Sequence, residues 1–318
     1  MNEPTMDVMV TRTVALTAEV IQVFLSRPDG KALPAFEAGA HVMVTVAPGI
    51  TRAYSLCGDP ADTGEYVIAV KRESAGRGGS QALHARACAG MTFSIGAPHN
   101  LFALAGQAPH HLLIAGGIGI TPLVAMAHAL HRRREAFSLL AFSRSRALLP
   151  FAELLNAGSW KDRVATYFND TPRADLAAKF ATMPTGTHVY CCGPDGFMRQ
   201  MREACKTIPD STWHQESFGG SLPAVDAKPQ ASRPVTLFLN RSDRQIIAPA
   251  GATLLDALRH AGIAVDSACE QGACASCVVG YRDGQPIHGD TCLSTEERLE
   301  YVALCSATCA SPTLTLDL

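Results

Sequence analysis

Nine residues near the C-terminus, Cys269-Glu270-Gln271-Gly272-Ala273-Cys274-Ala275-Ser276-Cys277, constrain this 318-residue chain more than any other segment. Four residues separate the first two thiols, two separate the second from the third, and Cys305 follows after a longer gap. That is the spacing by which plant-type sites hold one [2Fe–2S] cluster. A tight loop of small residues lets three thiolates and several backbone N–H groups converge, and a separate segment brings the fourth sulfur. Structural zinc normally pairs two Cys-x-x-Cys knuckles, and the step from Cys269 to Cys274 fits that pattern poorly. On spacing alone Cys292 and Cys309 compete with Cys305 for the fourth place.

The chain exceeds the usual size of a single core, which predicts two or three domains. Residues 1–104 read as antiparallel β structure: 42–46 and 66–70 are short β-branched runs, with turn chemistry at Pro28-Asp29-Gly30 and Gly58-Asp59-Pro60. A small barrel is the expected outcome. From 105 to 219 strand-like runs at 112–115, 138–142, 163–167 and 188–192 alternate with helical patterns, which predicts a parallel sheet covered by helices. The first of those helices starts at Thr121-Pro122 and places Leu123, Met126, Ala127 and Leu130 on one face. Residues 220–234 hold three prolines and no apolar periodicity, the mark of a linker. Beyond it, 235–318 offers strands at 235–240 and 245–248, then a helix from Thr253 with Asp256 at capping-box spacing.

A hydrophobic content of 47% with a formal charge of −2 gives no pull toward nucleic acid or anionic membrane. No apolar run reaches membrane-spanning length, and Met1-Asn2-Glu3-Pro4-Thr5 lacks a signal-peptide pattern, so a cytoplasmic location is expected. In that setting the eleven cysteines read as thiols and metal ligands, not as a disulfide framework.

Two further constellations carry chemistry. Arg52-Ala53-Tyr54-Ser55 is accompanied by Gly76-Arg77-Gly78-Gly79-Ser80, a glycine loop ahead of a helix-like stretch whose free N–H groups would meet an anion. An apolar strand face, a tyrosine and a phosphate clamp suit a flavin. Ala115-Gly116-Gly117-Ile118-Gly119-Ile120-Thr121-Pro122 and Cys192-Gly193-Pro194 place two small-residue loops on one sheet edge, where nucleotides bind in parallel α/β folds. The spacing is not Gly-x-Gly-x-x-Gly, so the dehydrogenase fingerprint is absent.

Taken in order with Glu216-Ser217-Phe218 and the C-terminal thiols, these motifs resemble the phthalate dioxygenase reductase family over essentially the whole chain. The resemblance implies three domains: an antiparallel β-barrel for FMN, an α/β parallel-sheet domain for NADH, and an α+β β-grasp ferredoxin domain with a [2Fe–2S] cluster. FAD and NADPH are the alternatives, the latter because Ser143-Arg144-Ser145-Arg146 follows a strand where an adenosine ribose would lie. It implies that Arg52, Tyr54 and Ser55 contact the flavin and that Ala69, Val70 and Lys71 line its edge. Arg77, Gly78, Gly79 and Ser80 would hold its phosphate, and Phe218 would lie near its ring. Gly117, Thr121, Cys192, Gly193 and Pro194 would form the nicotinamide cleft. Ser55 and Cys192 are the residues expected nearest the chemistry, Cys192 as pocket wall and not as a nucleophile.

The same resemblance places the fourth cluster ligand at Cys305, after Cys269, Cys274 and Cys277, and gives Cys292 and Cys309 no counterpart. Ala275 departs from the glycine often found there. The partner implied is the terminal oxygenase component of a Rieske-type aromatic-ring dioxygenase or O-demethylase, served by a monomer. From residue 235 onward ten acidic residues face five arginines and no lysine, a balance of −5 that suits a basic docking surface. A stand-alone ferredoxin carrier, or a reductase serving another acceptor, is the runner-up. A self-sufficient oxygenase would need Cys-x-His pairs, which the sequence lacks.

Overall fold

The computed structural model describes residues 5–48, 50–74, 78–170, 176–218, 233–265, 267, 272, 276–290 and 292–318, without the side chains of 177–179. The chain separates into two compact units, Met1–Gly219 and Gly220–Leu318.

The first unit begins with strands β1 (Met6–Ala15), β2 (Val20–Ser26), β3 (His41–Ala47), β4 (Ile50–Ser55) and β5 (Tyr66–Lys71), then helix α1 (Gly79–Arg86) and β6 (Thr92–Ile95). The strands form one antiparallel sheet in the order β4-β3-β6-β1-β2-β5. A bridge between Leu56 and Ile68 brings the two ends of that order together, so the sheet curls into a nearly closed barrel. Alternation fills it: Val8, Val10, Val23, Leu25, Val42 and Val44 turn inward.

There follow β7 (His111–Gly116), α2 (Ile120–Arg133), β8 (Phe137–Ser143), α3 (Ala152–Ala157), β9 (Val164–Phe168), α4 (Leu176–Ala181), β10 (His188–Cys192), α5 (Asp195–Ala204) and β11 (Trp213–Glu216). All ladders among these strands are parallel, in the order β11-β10-β7-β8-β9. The sequence pattern gives α2 a single apolar face, yet Ile120 through Ala127 are all buried. The reason is a shared core: Leu123, Val124, Met126 and Leu130 pack with Val20, Cys57, Val67 and Ala69 of the barrel region. β5 is buried on both sides for the same reason. Tyr66, Ile68 and Val70 face the barrel interior, while Val67 and Ala69 face the core that holds α2.

The second unit contains β12 (Val235–Leu239), β13 (Arg244–Ala248), α6 (Leu254–His260), β14 (Val278–Arg282), β15 (Pro286–Ile287), β16 (Tyr301–Ala303), β17 (Thr308–Cys309) and β18 (Thr313–Leu316). Five of these strands form a mixed sheet in the order β13-β12-β18-β14-β16, with β12 and β18 parallel. Thr253 caps α6, its Oγ1 accepting from the Asp256 N–H at 3.1 Å, and Leu254, Leu255 and Leu258 pack with Leu237, Leu304 and Leu316. Among the described residues no helix is long and apolar enough to cross a membrane.

Candidate functional site

In the barrel, β4 presents Arg52, Tyr54 and Ser55 beside the start of α1. Ser55 is 7% exposed, and Tyr54 packs on the barrel core, where burial pushes its phenol up to about 12. Gly78 takes φ 79° as the residue before α1, whose first turn has neither a side-chain cap nor an acidic residue. Its leading N–H groups are therefore available to an anion. A β-carbon on Gly79 would stand 2.7 Å from Arg52 Cγ, so the arginine lies directly against that helix start. The Ser80 hydroxyl accepts from the Glu73 N–H at 3.0 Å and can still donate. Arg77 lies outside the described residues. Of the expected phosphate-loop residues, Gly78, Gly79 and Ser80 thus form the start of α1, and Gly79 lies against Arg52.

A cleft of about 650 Å³ opens in the same unit along the carboxyl ends of β7, β8 and β10. Gly117, Gly193 and Pro194, expected in a nicotinamide cleft, line it together with Lys71 and Phe218, which were expected beside a flavin. Phe142 and Tyr167, stacked at 4.7 Å, add an apolar wall. The floor is made of small residues because the loops after β7 and β10 touch backbone to backbone. A β-carbon on Gly119 would come within 2.3 Å of the Cys192 carbonyl oxygen.

Three expected residues are placed differently. Thr121 is buried and donates from Oγ1 to the Ile118 carbonyl at 3.1 Å, so it fastens the loop instead of lining the cleft. Cys192 is fully buried behind the floor, and burial, helped by the Glu216 carboxylate, raises its thiol well above the usual range. Val70 points into the barrel core, so it has only its backbone to offer a ligand. Its neighbours Ala69 and Lys71 lie on the opposite face of β5, Ala69 in the shared core.

Glu216 is a residue the sequence reading passed over, although its motif was in hand. It ends β11 with Oε2 buried and without a hydrogen-bond partner, and burial pushes its carboxyl up to about 8. Next to it Ser217 donates to Asp195 Oδ1 at 2.8 Å. An unfolded chain ionises such a group near 4.5, whereas the folded unit holds the proton until about 8. The folded state therefore binds more protons across that window, and stability declines as pH rises through it. Glu216→Gln is expected to remove this decline, on the order of 5 kcal/mol or roughly 10–20 °C for a unit of this size. Thermal midpoints measured between about pH 5 and about pH 9 check it, and a wild-type midpoint flat over that range counts against a buried neutral carboxyl.

In the second unit Cys277 precedes β14 and Cys305 follows β16, both buried. The Gly272 N–H donates to Cys305 Sγ at 3.2 Å, and the Cys305 N–H to Cys277 Sγ at 3.5 Å. Backbone N–H groups aimed at sulfur are what cluster thiolates require, so these residues fit a [2Fe–2S] centre. Cys269 and Cys274 lie outside the described residues. Of the competing thiols, Cys309 is engaged with the Gln285 carbonyl at 3.3 Å in the β15–β17 pair. Cys292 stands beside the loop, its N–H donating to the Gly272 carbonyl at 3.2 Å.

Residues 237–313 match the family model described as the 2Fe-2S iron-sulfur cluster binding domain. The chain is 41% identical over 313 residues to phenoxybenzoate dioxygenase subunit beta of Ectopseudomonas oleovorans, covering 96% of this chain and 95% of that one. A solved structure of phthalate dioxygenase reductase, described as modular for electron transfer from pyridine nucleotides to [2Fe-2S], superposes with a TM-score of 0.75. It is 34% identical, with 99% of this chain and 98% of that chain covered. This chain belongs to the phthalate dioxygenase reductase family. The reductase is accordingly a flavin and iron–sulfur oxidoreductase that uses a nicotinamide nucleotide. It also superposes, with a TM-score of 0.81 and 32% identity, on an intact type IV self-sufficient cytochrome P450 monooxygenase. That match covers 100% of this chain and 42% of the larger one.

Proposed function

We propose that this reductase is the electron-supplying component of a Rieske-type aromatic-ring oxygenase or O-demethylase, taking electrons from NADH through FMN and a [2Fe–2S] cluster. The observation that carries the reading is the pairing, within one unit, of an anion-ready barrel corner with a small-residue nucleotide cleft, ahead of a ferredoxin unit. The proposed domains are a flavin barrel over 1–104, a nucleotide domain over 105–219, a linker over 220–234 and a ferredoxin domain over 235–318, in a cytosolic monomer.

A flavin held there would supply the exchange between paired and single electrons. The chain's own residues position and shield. Arg52, with the N–H groups of Gly79 and Ser80, would clamp one phosphate, which supports FMN. Ser55 would hydrogen-bond the flavin from β4, and Phe218 would screen its face from water. Gly117, Gly193 and Pro194 would let a nucleotide approach the backbone closely. Arg144 lines the cleft but stands 3.7 Å from the Glu19 carboxylate, whose charge opposes an extra phosphate and supports NADH over NADPH.

Onward transfer runs downhill, from about −400 mV for plant-type clusters to roughly −150 to +300 mV for Rieske centres. An acceptor face is available on the segment leading to Cys305. There Leu299, 75% exposed, is set among the exposed carboxylates Glu296, Glu297 and Glu300. Such a surface fits a basic partner with an apolar recess. A second reading replaces the Rieske acceptor with a haem protein, favoured by the likeness to the P450 monooxygenase.

The deciding experiment is anaerobic stopped-flow with NADH as donor and a purified Rieske oxygenase as acceptor. Flavin and cluster bands are expected to bleach in turn, followed by the acceptor's, with the last step slowing as salt is raised. Absence of a flavin band would end the proposal. Rapid reduction of a haem acceptor with an inert Rieske protein would transfer it to the second reading.

A further inference from the structure

Gly272 is held from both sides. Its N–H donates to Cys305 Sγ and its carbonyl accepts from the Cys292 N–H, each at 3.2 Å. A β-carbon there would lie 2.5 Å from Ser306 Oγ and 2.7 Å from Asp290 Cα, and φ is +72°, so only glycine fits. The Cys292 N–H belongs to a turn closed by Asp290, whose Oδ2 accepts from the Leu293 N–H at 3.1 Å. Arg298 Nη2 braces that turn, donating to the Asp290 carbonyl at 2.6 Å and to Oδ2 at 3.3 Å.

The Asp290 side chain is fully buried. Its Oδ1 stands 3.4 Å from His288 Nδ1 and has no hydrogen-bond partner, and Arg298 Nε is likewise unpartnered. A buried carboxylate with an unsatisfied oxygen is unfavourable for folding. Stability alone therefore does not account for an aspartate here.

The geometry points to Asp290 as a positioning residue for electron transfer. Its turn fixes the Cys292 N–H, which holds the Gly272 carbonyl, which in turn aims the Gly272 N–H at Cys305 Sγ. The inference rests on the reading of Cys305 as a cluster ligand. An N–H donated to a cluster sulfur draws charge from it and favours the reduced centre, raising the reduction potential. The carboxylate's own charge acts the opposite way, so replacement by two neutral residues separates the two effects. Asp290→Asn keeps an oxygen for the Leu293 N–H, and Asp290→Ala does not.

The test is an EPR-monitored redox titration of the full-length holoprotein and both variants. The cluster midpoint of Asp290→Ala is expected to lie below that of Asp290→Asn. Equal midpoints, or the reverse order, overturn the assignment and leave the cluster reading intact. A wild-type protein without a reduced [2Fe–2S] signal defeats the cluster reading itself. Should Asp290→Ala not accumulate, the near-isosteric Asp290→Leu, which also offers no oxygen to the Leu293 N–H, takes its place. Its Fe–S Raman bands should lose part of the wild-type shift on transfer to deuterated water, and an unchanged shift refutes the positioning role.

Discussion

Replacing Gly119 by alanine is expected to lower kcat/KM for NADH by about 10²-fold while leaving the reduced-cluster signal at full intensity. The added β-carbon would meet the Cys192 carbonyl oxygen at 2.3 Å, its carbon at 2.5 Å and the Gly193 nitrogen at 2.7 Å. These are backbone atoms and cannot rotate aside, so the loops after β7 and β10 must part by about 1 Å to restore ordinary contact. Misplacement on that scale is worth about 10²-fold when a reaction depends on holding two groups in register. Gly186 is the informative control. It precedes β10, is absent from the cleft lining and has φ +83°, and an added β-carbon there would meet Pro109 at an ordinary 3.5 Å. Gly186→Ala should therefore cost only the backbone strain, about 1 kcal/mol of stability, with a much smaller kinetic change. Stopped-flow flavin reduction over a range of NADH concentrations separates the two variants. Wild-type kinetics in Gly119→Ala would mean that the paired loops are not the floor on which the nucleotide lies.

Much of the architecture was legible in local pattern. The β-branched runs, the strand–helix alternation after residue 105 and the Thr253 capping box all announced their elements, because each depends on neighbours close in sequence. The glycine loops were equally readable as turns ahead of helices, because Gly78 and Gly117 take the positive φ that favours glycine. What remained hidden depends on which surfaces meet. Nothing local reveals that the barrel covers the second side of α2, or that Val67 and Ala69 leave the barrel core for that interface. The family resemblance implies a cleft position for Thr121 and Cys192, and it does not resolve which way a side chain turns: both are buried behind the lining. Glu216 was missed for a related reason. Its significance lies in burial at the end of β11 beside Cys192, and in sequence it is only one acid in a polar stretch.

The largest effect should come from Cys305→Ala, which is expected to abolish the cluster and reduction of the acceptor protein while NADH still reduces ferricyanide at the flavin. Loss of a group that merely orients a metal ligand costs about 10–100-fold, and removal of the sulfur itself must exceed that. Cys309→Ala should retain the cluster, because that thiol is committed to the Gln285 carbonyl at 3.3 Å and Ser311 Oγ at 3.1 Å. Cys292→Ala should retain it too, since Cys292 reaches the loop through its backbone N–H, which alanine also carries. Iron content, visible absorption and EPR on the three purified variants make the comparison. A cluster that survives loss of Cys305 and disappears with Cys309 would displace the ligand set. It would also leave the Gly272 N–H aimed at a sulfur that binds no iron. A buried sulfur that accepts a backbone N–H bond is what favours Cys305 over its neighbours as the proposed ligand, and spacing alone could not supply it.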